Sequence, residues 1–279
     1  MLNSYKILYL NNGKIKEEKL KIIICKIIKN RLWQKIFCVF LCVAIIAVSI
    51  YKNEQIKSMM CGKSLREIPI YSVERNDKRI AISFDCAWGN EYTQTLLDEM
   101  NNYGVTCTFF AVSFWAEKYP DDLKNIVSQG HEVGTHSKTH SHMSKLTQVE
   151  IDNELSYSKQ VIEQITGQRV TLFRAPFGEY NNLLIERARE AGLFTIQWDV
   201  DSLDWKDLSA QDIAKRIISK VKPGSIILCH NNGLHTAESL PLIFSALIAN
   251  GYEFVKISDL IYKDNYDITN EGKQVKTNL

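Results

Sequence analysis

The stretch AISFDCAWGN, residues 81–90, decides the architecture. Apolar and β-prone residues run up to Asp85 and stop there, as a buried strand does where it leaves a sheet. Cys86 follows at once, a thiol beside a carboxylate at a strand mouth. Working outward, comparable runs lie at Ile80–Phe84, Thr106–Val112, Glu132–Thr135, Val170–Phe173, Phe194–Trp198, Ser225–Cys229 and Glu253–Lys256. Helix-type stretches separate them at Glu91–Asn102, Ala116–Gln129, Gln148–Thr166, Leu183–Ala191, Ala210–Val221 and Ala237–Asn250. Gly104, Gly130, Gly167, Gly192 and Gly251 stand at or just past the helix ends, where a left-handed cap is wanted. Seven strands alternating with helices predict an α/β fold on a parallel sheet, either doubly wound or closed as a barrel. No G-x-G-x-x-G or Walker A motif opens a helix, which weakens nucleotide-binding readings.

In a barrel of this class, function gathers at the C-terminal ends of the strands. The exits here read Asp85-Cys86, Val112-Ser113, GTHSKTHSH (134–142), FRAPFGEY (173–180), WDVDSLDW (198–205) and LCHNN (228–232). His136 and His140 have a spacing found in paired zinc ligands. That spacing is weak evidence alone, and the company of acids and histidines at other strand ends strengthens it. Asp85 reads as a base, a ligand or a helix cap. Arg174 is an unusual core residue unless paired, and Asp85 is its natural partner. His230 emerges from an apolar run into the mouth. Asp199, Asp201 and Asp204 crowd one loop, with Trp205 as a packed wall. Trp88, Trp115 and Trp205 suggest an aromatic-lined opening suited to sugar.

The 279-residue chain is 45% hydrophobic and 24% charged, as a globular protein is. Its net charge of +2 hides an asymmetry. Residues 1–35 carry nine basic residues against Glu17 and Glu18, a net +7 that leaves −5 for the remainder. A mildly acidic body argues against nucleic-acid binding. The basic leader runs into Ile36 to Tyr51, sixteen residues without a charge. Such a run covers about 24 Å of a ~30 Å hydrocarbon core, and Leu32 and Trp33 lengthen it. A cleaved signal peptide competes with an uncleaved anchor, and the long leader favours the anchor. The positive-inside rule then places everything after Lys52 outside the cytoplasm. The expected organisation is a cytoplasmic leader (1–35), a transmembrane helix (36–51), a linker (52–78), the folded domain (79–262) and a polar tail (263–279). Of seven cysteines, only Cys61, Cys86, Cys107 and Cys229 fall in the outward body, and no C-x-x-C pair marks a disulfide framework or zinc ribbon.

From about Arg79 to Leu260 the five exit motifs resemble, in order, those of the NodB-homology polysaccharide deacetylases, carbohydrate esterase family 4. The resemblance implies a distorted (β/α) barrel that removes acetyl groups from chitin-like or peptidoglycan sugars, with a divalent metal, usually zinc. It implies Asp85 as catalytic base and His136 and His140 as metal ligands. Arg174 would orient the base. Phe177 stands where a tyrosine is usual, and its backbone N–H would help bind the oxyanion. Asp204 would support His230, the general acid, while Trp205 and Leu228 would wall the groove. Cys86 departs from the pattern, because the family has a metal-binding aspartate there. Either the thiolate completes a Cys/His/His zinc site, or Cys86 is an apolar filler and the metal is weak or absent.

The expectation is therefore a membrane-anchored, extracytoplasmic deacetylase of cell-envelope glycan, peptidoglycan or another N-acetylglucosamine polymer, with a sporulation role implied by the resemblance alone. Its rivals are a glycan-binding protein that has lost the metal, and a metal-dependent hydrolase of a small amide.

Overall fold

The computed structural model describes residues 66–277 and, before them, residues 19–22, 25, 26, 29, 30, 46 and 49, all ten of these helical. The chain divides into two units, Met1–Leu65 and Arg66–Leu279. Apart from Ile46 and Ser49, the apolar run expected to span a membrane lies outside the described residues. Among the described residues no helix is long and apolar enough to cross a membrane.

The second unit is built on a parallel sheet. Its strands are β2 (Arg79–Cys86), β3 (Thr108–Ala111), β4 (Glu132–Thr135), β5 (Leu172–Phe173), β6 (Phe194–Thr195), β7 (Val200–Asp201), β8 (Ile226–His230) and β9 (Glu253–Phe254). The hydrogen-bonded order is β6-β5-β4-β3-β2-β8-β7, with β9 beside the start of β2. This is the α/β sheet read from the alternation, curled in the manner of a distorted barrel. β6 and β7 do not pair, and Ile70 bridges to Ile196 at the β6 edge.

Helices cover the sheet: α1 (Thr93–Tyr103), α2 (Ser113–Lys118), α3 (Pro120–Ser128), α4 (Gln148–Thr166), α5 (Asn182–Glu190), α6 (Ala210–Ile218), α7 (Thr236–Ala249) and the short α8 (Ile257–Leu260). The single helix expected over 116–129 is two, because Pro120 has no N–H to continue the first and starts the second instead. A capping box, Thr147 with Glu150, opens α4, and Gly167 closes it at φ 69°.

Alternation along β2 sorts its side chains. Ile80, Ile82, Phe84 and Cys86 enter the cluster shared with Leu96, Leu97 and Met100 of α1 and Leu240, Phe244 and Leu247 of α7. Ala81 packs on the other face with Phe110, Leu172, Ile196 and Ile226. Period two therefore puts Ser83 and Asp85 inside the barrel and Cys86 under the helices.

The segments read as linker and tail contribute strands of their own. Before β2, Ser72–Val73 forms β1, and beyond α8 come β10 (Tyr266–Ile268) and β11 (Lys273–Lys276), in a three-stranded sheet ordered β1-β11-β10. Gln274 is buried there, donating to the Tyr262 carbonyl at 2.7 Å and accepting from its N–H at 2.8 Å. Gly224 lets the segment pass: its φ is 81°, and a Cβ would sit 1.7 Å from the Val73 carbonyl oxygen.

Candidate active site

Asp85 ends the inward row of β2, and Arg174 follows β5 directly. Arg174 is fully buried; its Nη1 donates to Asp85 Oδ1 at 2.8 Å, and its Nη2 to Ser83 Oγ at 2.9 Å and the Gln197 carbonyl at 3.2 Å. Ser83 Oγ spends its own proton on the Ile227 carbonyl at 2.7 Å, leaving its lone pairs for the guanidinium. The guanidinium carbon lies 4.1 Å from the Phe110 ring centre. Burial works against charge on Asp85, but Arg174 first, and His230 after it, overcome it and hold the carboxyl below the usual value.

His136 follows β4. Its Nδ1 lies 2.8 Å from the Arg174 carbonyl, an acceptor, so Nδ1 carries the proton and Nε2 faces Asp85 Oδ2 at 3.6 Å. His140 sits in the left-handed region at φ 57°, its N–H donating to Ser137 Oγ at 2.9 Å. Its ring lies edge-on between His136 (5.0 Å), Phe177 (4.6 Å) and Trp88 (4.8 Å). Burial lowers the proton affinity of both imidazoles, His140 to about 4, so both are neutral near pH 7.

The loop between these histidines hangs on Glu154 of α4. This buried carboxylate accepts from the N–H groups of Lys138 and Thr139, both at 2.9 Å, and from Thr139 Oγ1 at 2.7 Å. Glu154→Ala is expected to lower unfolding free energy by about 2–3 kcal/mol, since three donors lose a charged acceptor. Urea unfolding measures this, and a loss under about 0.5 kcal/mol would mean that the loop holds without it.

His230 ends β8 as the register partner of Asp85. Asp204, fully buried, accepts from His230 Nδ1 through Oδ1 at 2.7 Å. Its Oδ2 accepts from the His230 N–H and from Thr236 Oγ1, each at 2.7 Å. The tautomer is fixed, and Nε2 is the ring nitrogen left for chemistry. Burial opposes the imidazolium, but Asp204 outweighs it and raises the His230 pKa. Burial likewise opposes charge on Asp204, and His230 reverses it, keeping the acid low.

A cleft of about 650 Å³ opens over these groups, with Leu228, Phe177 and Trp205 in its wall. Phe177 is held at φ 60°, a left-handed conformation uncommon for phenylalanine, and its ring stacks on His142 at 4.3 Å. One sequence expectation changes. Trp115 is buried, its Nε1 donating to the Gly89 carbonyl at 2.6 Å, so it packs rather than lining the mouth. Asp199, from the acidic loop, accepts from the Ile226 N–H and Ser225 Oγ.

A family model described as polysaccharide deacetylase matches residues 72–196. A peptidoglycan-N-acetylglucosamine deacetylase of Bacillus cereus is 31% identical over 196 residues, covering 68% of this chain and 92% of that one. The chain belongs to the polysaccharide deacetylase family. An uncharacterized Bacillus subtilis protein, YlxY, is 32% identical over 207 residues, or 74% of this chain and 65% of that one, so the chain spans a little under two thirds of this relative. Among solved structures, a CE4 family pseudoenzyme from Bacillus anthracis superposes with a TM-score of 0.68 at 30% identity, covering 76% of this chain and 73% of that one. A mutant of it, described as having restored enzymatic activity, gives 0.67 at 34% identity, covering 69% and 70%. The deacetylase relatives are hydrolases of non-peptide carbon–nitrogen bonds, and this chain carries their fold.

Of the residues assigned from the family motifs, all but Cys86 converge on the cleft or directly behind it. Cys86 is fully buried in the helix-side core, its thiol 3.9 Å from the Phe84 carbonyl. Burial pushes its thiol well above the usual value, the opposite of what a thiolate ligand needs. Of the two readings of Cys86, its packing among apolar side chains favours the apolar filler over the thiolate ligand. His136 and His140 suit a divalent metal such as zinc, but among the described residues no three histidine, cysteine or acidic side chains gather to hold an ion. The donor set does not fit a resident metal of the family type. The supports from Ser83, Glu154 and Thr236 were not read from the sequence, since a serine, glutamate or threonine in a regular element carries no spacing signal.

Proposed function

We propose that this polysaccharide deacetylase removes N-acetyl groups from cell-wall glycan, peptidoglycan or another N-acetylglucosamine polymer. The observation that carries this reading is the pairing of Asp85 with His230 across adjacent strand ends, each backed by its own buried partner. Asp85, kept ionised by Arg174, takes a proton from water as its oxygen bonds to the acetyl carbon. His230 Nε2 gives its proton to the amide nitrogen as the carbon–nitrogen bond breaks, so acetate and a free amine leave. Leu228, Phe177 and Trp205 hold the sugar. The basic leader and the apolar run after it support action outside the cytoplasm.

The place of Cys86 favours a second reading, a glycan-binding protein with impaired turnover. Oligomer binding and acetate release from N-acetylglucosamine oligomers and peptidoglycan, compared between the wild type and Asp85→Asn, separate the two. The first reading expects release by the wild type and none by Asp85→Asn. Oligomer binding without acetate release by the wild type would establish the second.

A further inference from the structure

Trp88 is 62% exposed, although it stands only three residues beyond Asp85. A large apolar ring left in water at a cleft edge is informative when its backbone is held still. Here the holding is explicit. The carbonyl of the next residue, Gly89, accepts from Trp115 Nε1 at 2.6 Å and from Asn231 Nδ2 at 2.8 Å. Both donors come from residues that are themselves buried. Gly89 has a φ of 62°, and a Cβ there would lie 2.3 Å from Glu91 Oε2 and 2.8 Å from the Asn232 side chain. The turn backbone is therefore held in place, and the indole rests against the His140 ring, 4.8 Å between centres.

The ring is not alone. On the cleft side it meets the His140 edge, and on the outer side it meets Phe114, 38% exposed, at 6.5 Å and 49°. Phe114 lies at the exit of β3, Trp88 at that of β2, His230 at that of β8, and Trp205, 57% exposed, beyond β7. In sheet order, exposed rings thus stand on both sides of His230. β2 and β7 are two strand spacings apart, about 10 Å. A strip of flat apolar surface, carried on a pinned turn and continuous with the cleft, matches the apolar C–H face of a pyranose ring. It loses little side-chain freedom when covered.

We propose that Trp88, with Phe114 beyond it, is a stacking platform for a second sugar of the glycan strand, on the opposite side of His230 from Trp205. This rests on the deacetylase reading for the class of ligand, and on the pinned turn for the platform. The site then grips a strand on both sides of the reacting sugar and favours longer oligomers over short ones.

Binding of N-acetylglucosamine oligomers of two to six sugars to the full chain tests this by calorimetry, in a His230→Ala background that suppresses turnover. Affinity is expected to rise with length. Adding Trp88→Ala should weaken the longest oligomers about tenfold, leave the disaccharide nearly unchanged, and leave the melting temperature where it was. Trp88→Phe should recover part of the loss. Equal affinities with and without Trp88→Ala at every length would overturn the platform, as would absence of oligomer binding. Length- and Trp88-dependent binding by the wild type with no acetate released would keep the platform and remove the deacetylase reading.

Discussion

Replacing Arg174 with methionine is expected to lower unfolding free energy by about 3–5 kcal/mol, the usual loss when one partner of a buried ion pair is removed. Arg174 is fully buried and is the donor to Asp85, Ser83 and the Gln197 carbonyl. Without it, Asp85 keeps its burial but loses its strongest source of compensation, so its pKa rises and the base is lost with the stability. For a domain of this size the melting temperature falls by roughly 10 °C or more. The pH dependence has a defined sign. A carboxyl depressed in the folded state adds stability above its unfolded pKa, and that stability is lost as pH falls through the folded value. The gap between wild type and variant should therefore be full at neutral pH and close in strong acid. Pairing Arg174→Met with Asp85→Leu should recover much of the stability and none of the activity. A melting point within 2 °C of the wild type for Arg174→Met alone would mean that the pair is not the anchor described.

His230→Ala is expected to reduce kcat by about 10²–10⁴-fold, the range for loss of a general acid or base, with KM and folding little changed. Asp204→Asn should act through the histidine. Because Asp204 raises the His230 pKa, the acid form persists above the usual histidine value. The alkaline limb of the kcat profile should lie correspondingly high, and Asp204→Asn should move it down. The stabilisation from this pair is complete below the unfolded histidine pKa and fades as pH rises through the folded one. Retention of more than a tenth of the activity by His230→Ala would reassign the proton donor.

Much of the sheet was legible because parallel strands buried on both faces read as continuous apolar runs, as at Ile80–Phe84 and Ser225–Cys229. β7 was not, since Val200–Asp201 is two residues inside an acidic loop. The C-terminal strands were missed for a related reason: Lys273–Lys276 is polar, and it is ordered by one buried glutamine rather than an apolar face. Charged site residues were legible because a buried arginine or a histidine at a strand exit is unusual. The facing of Cys86 was in principle readable from period two along β2, yet a strand's last residue can turn either way. Only the helix-side packing decides it.

The buried cysteines have a practical consequence. Cys86, Cys107 and Cys229 have no exposed surface, and burial raises each thiol far above the range in which thiolates form. They are spread over β2, the β3 entrance and β8. Alkylating reagents therefore reach them only when the centre of the sheet comes apart, so their labelling rate serves as a clock for that opening, readable without substrate and independent of turnover.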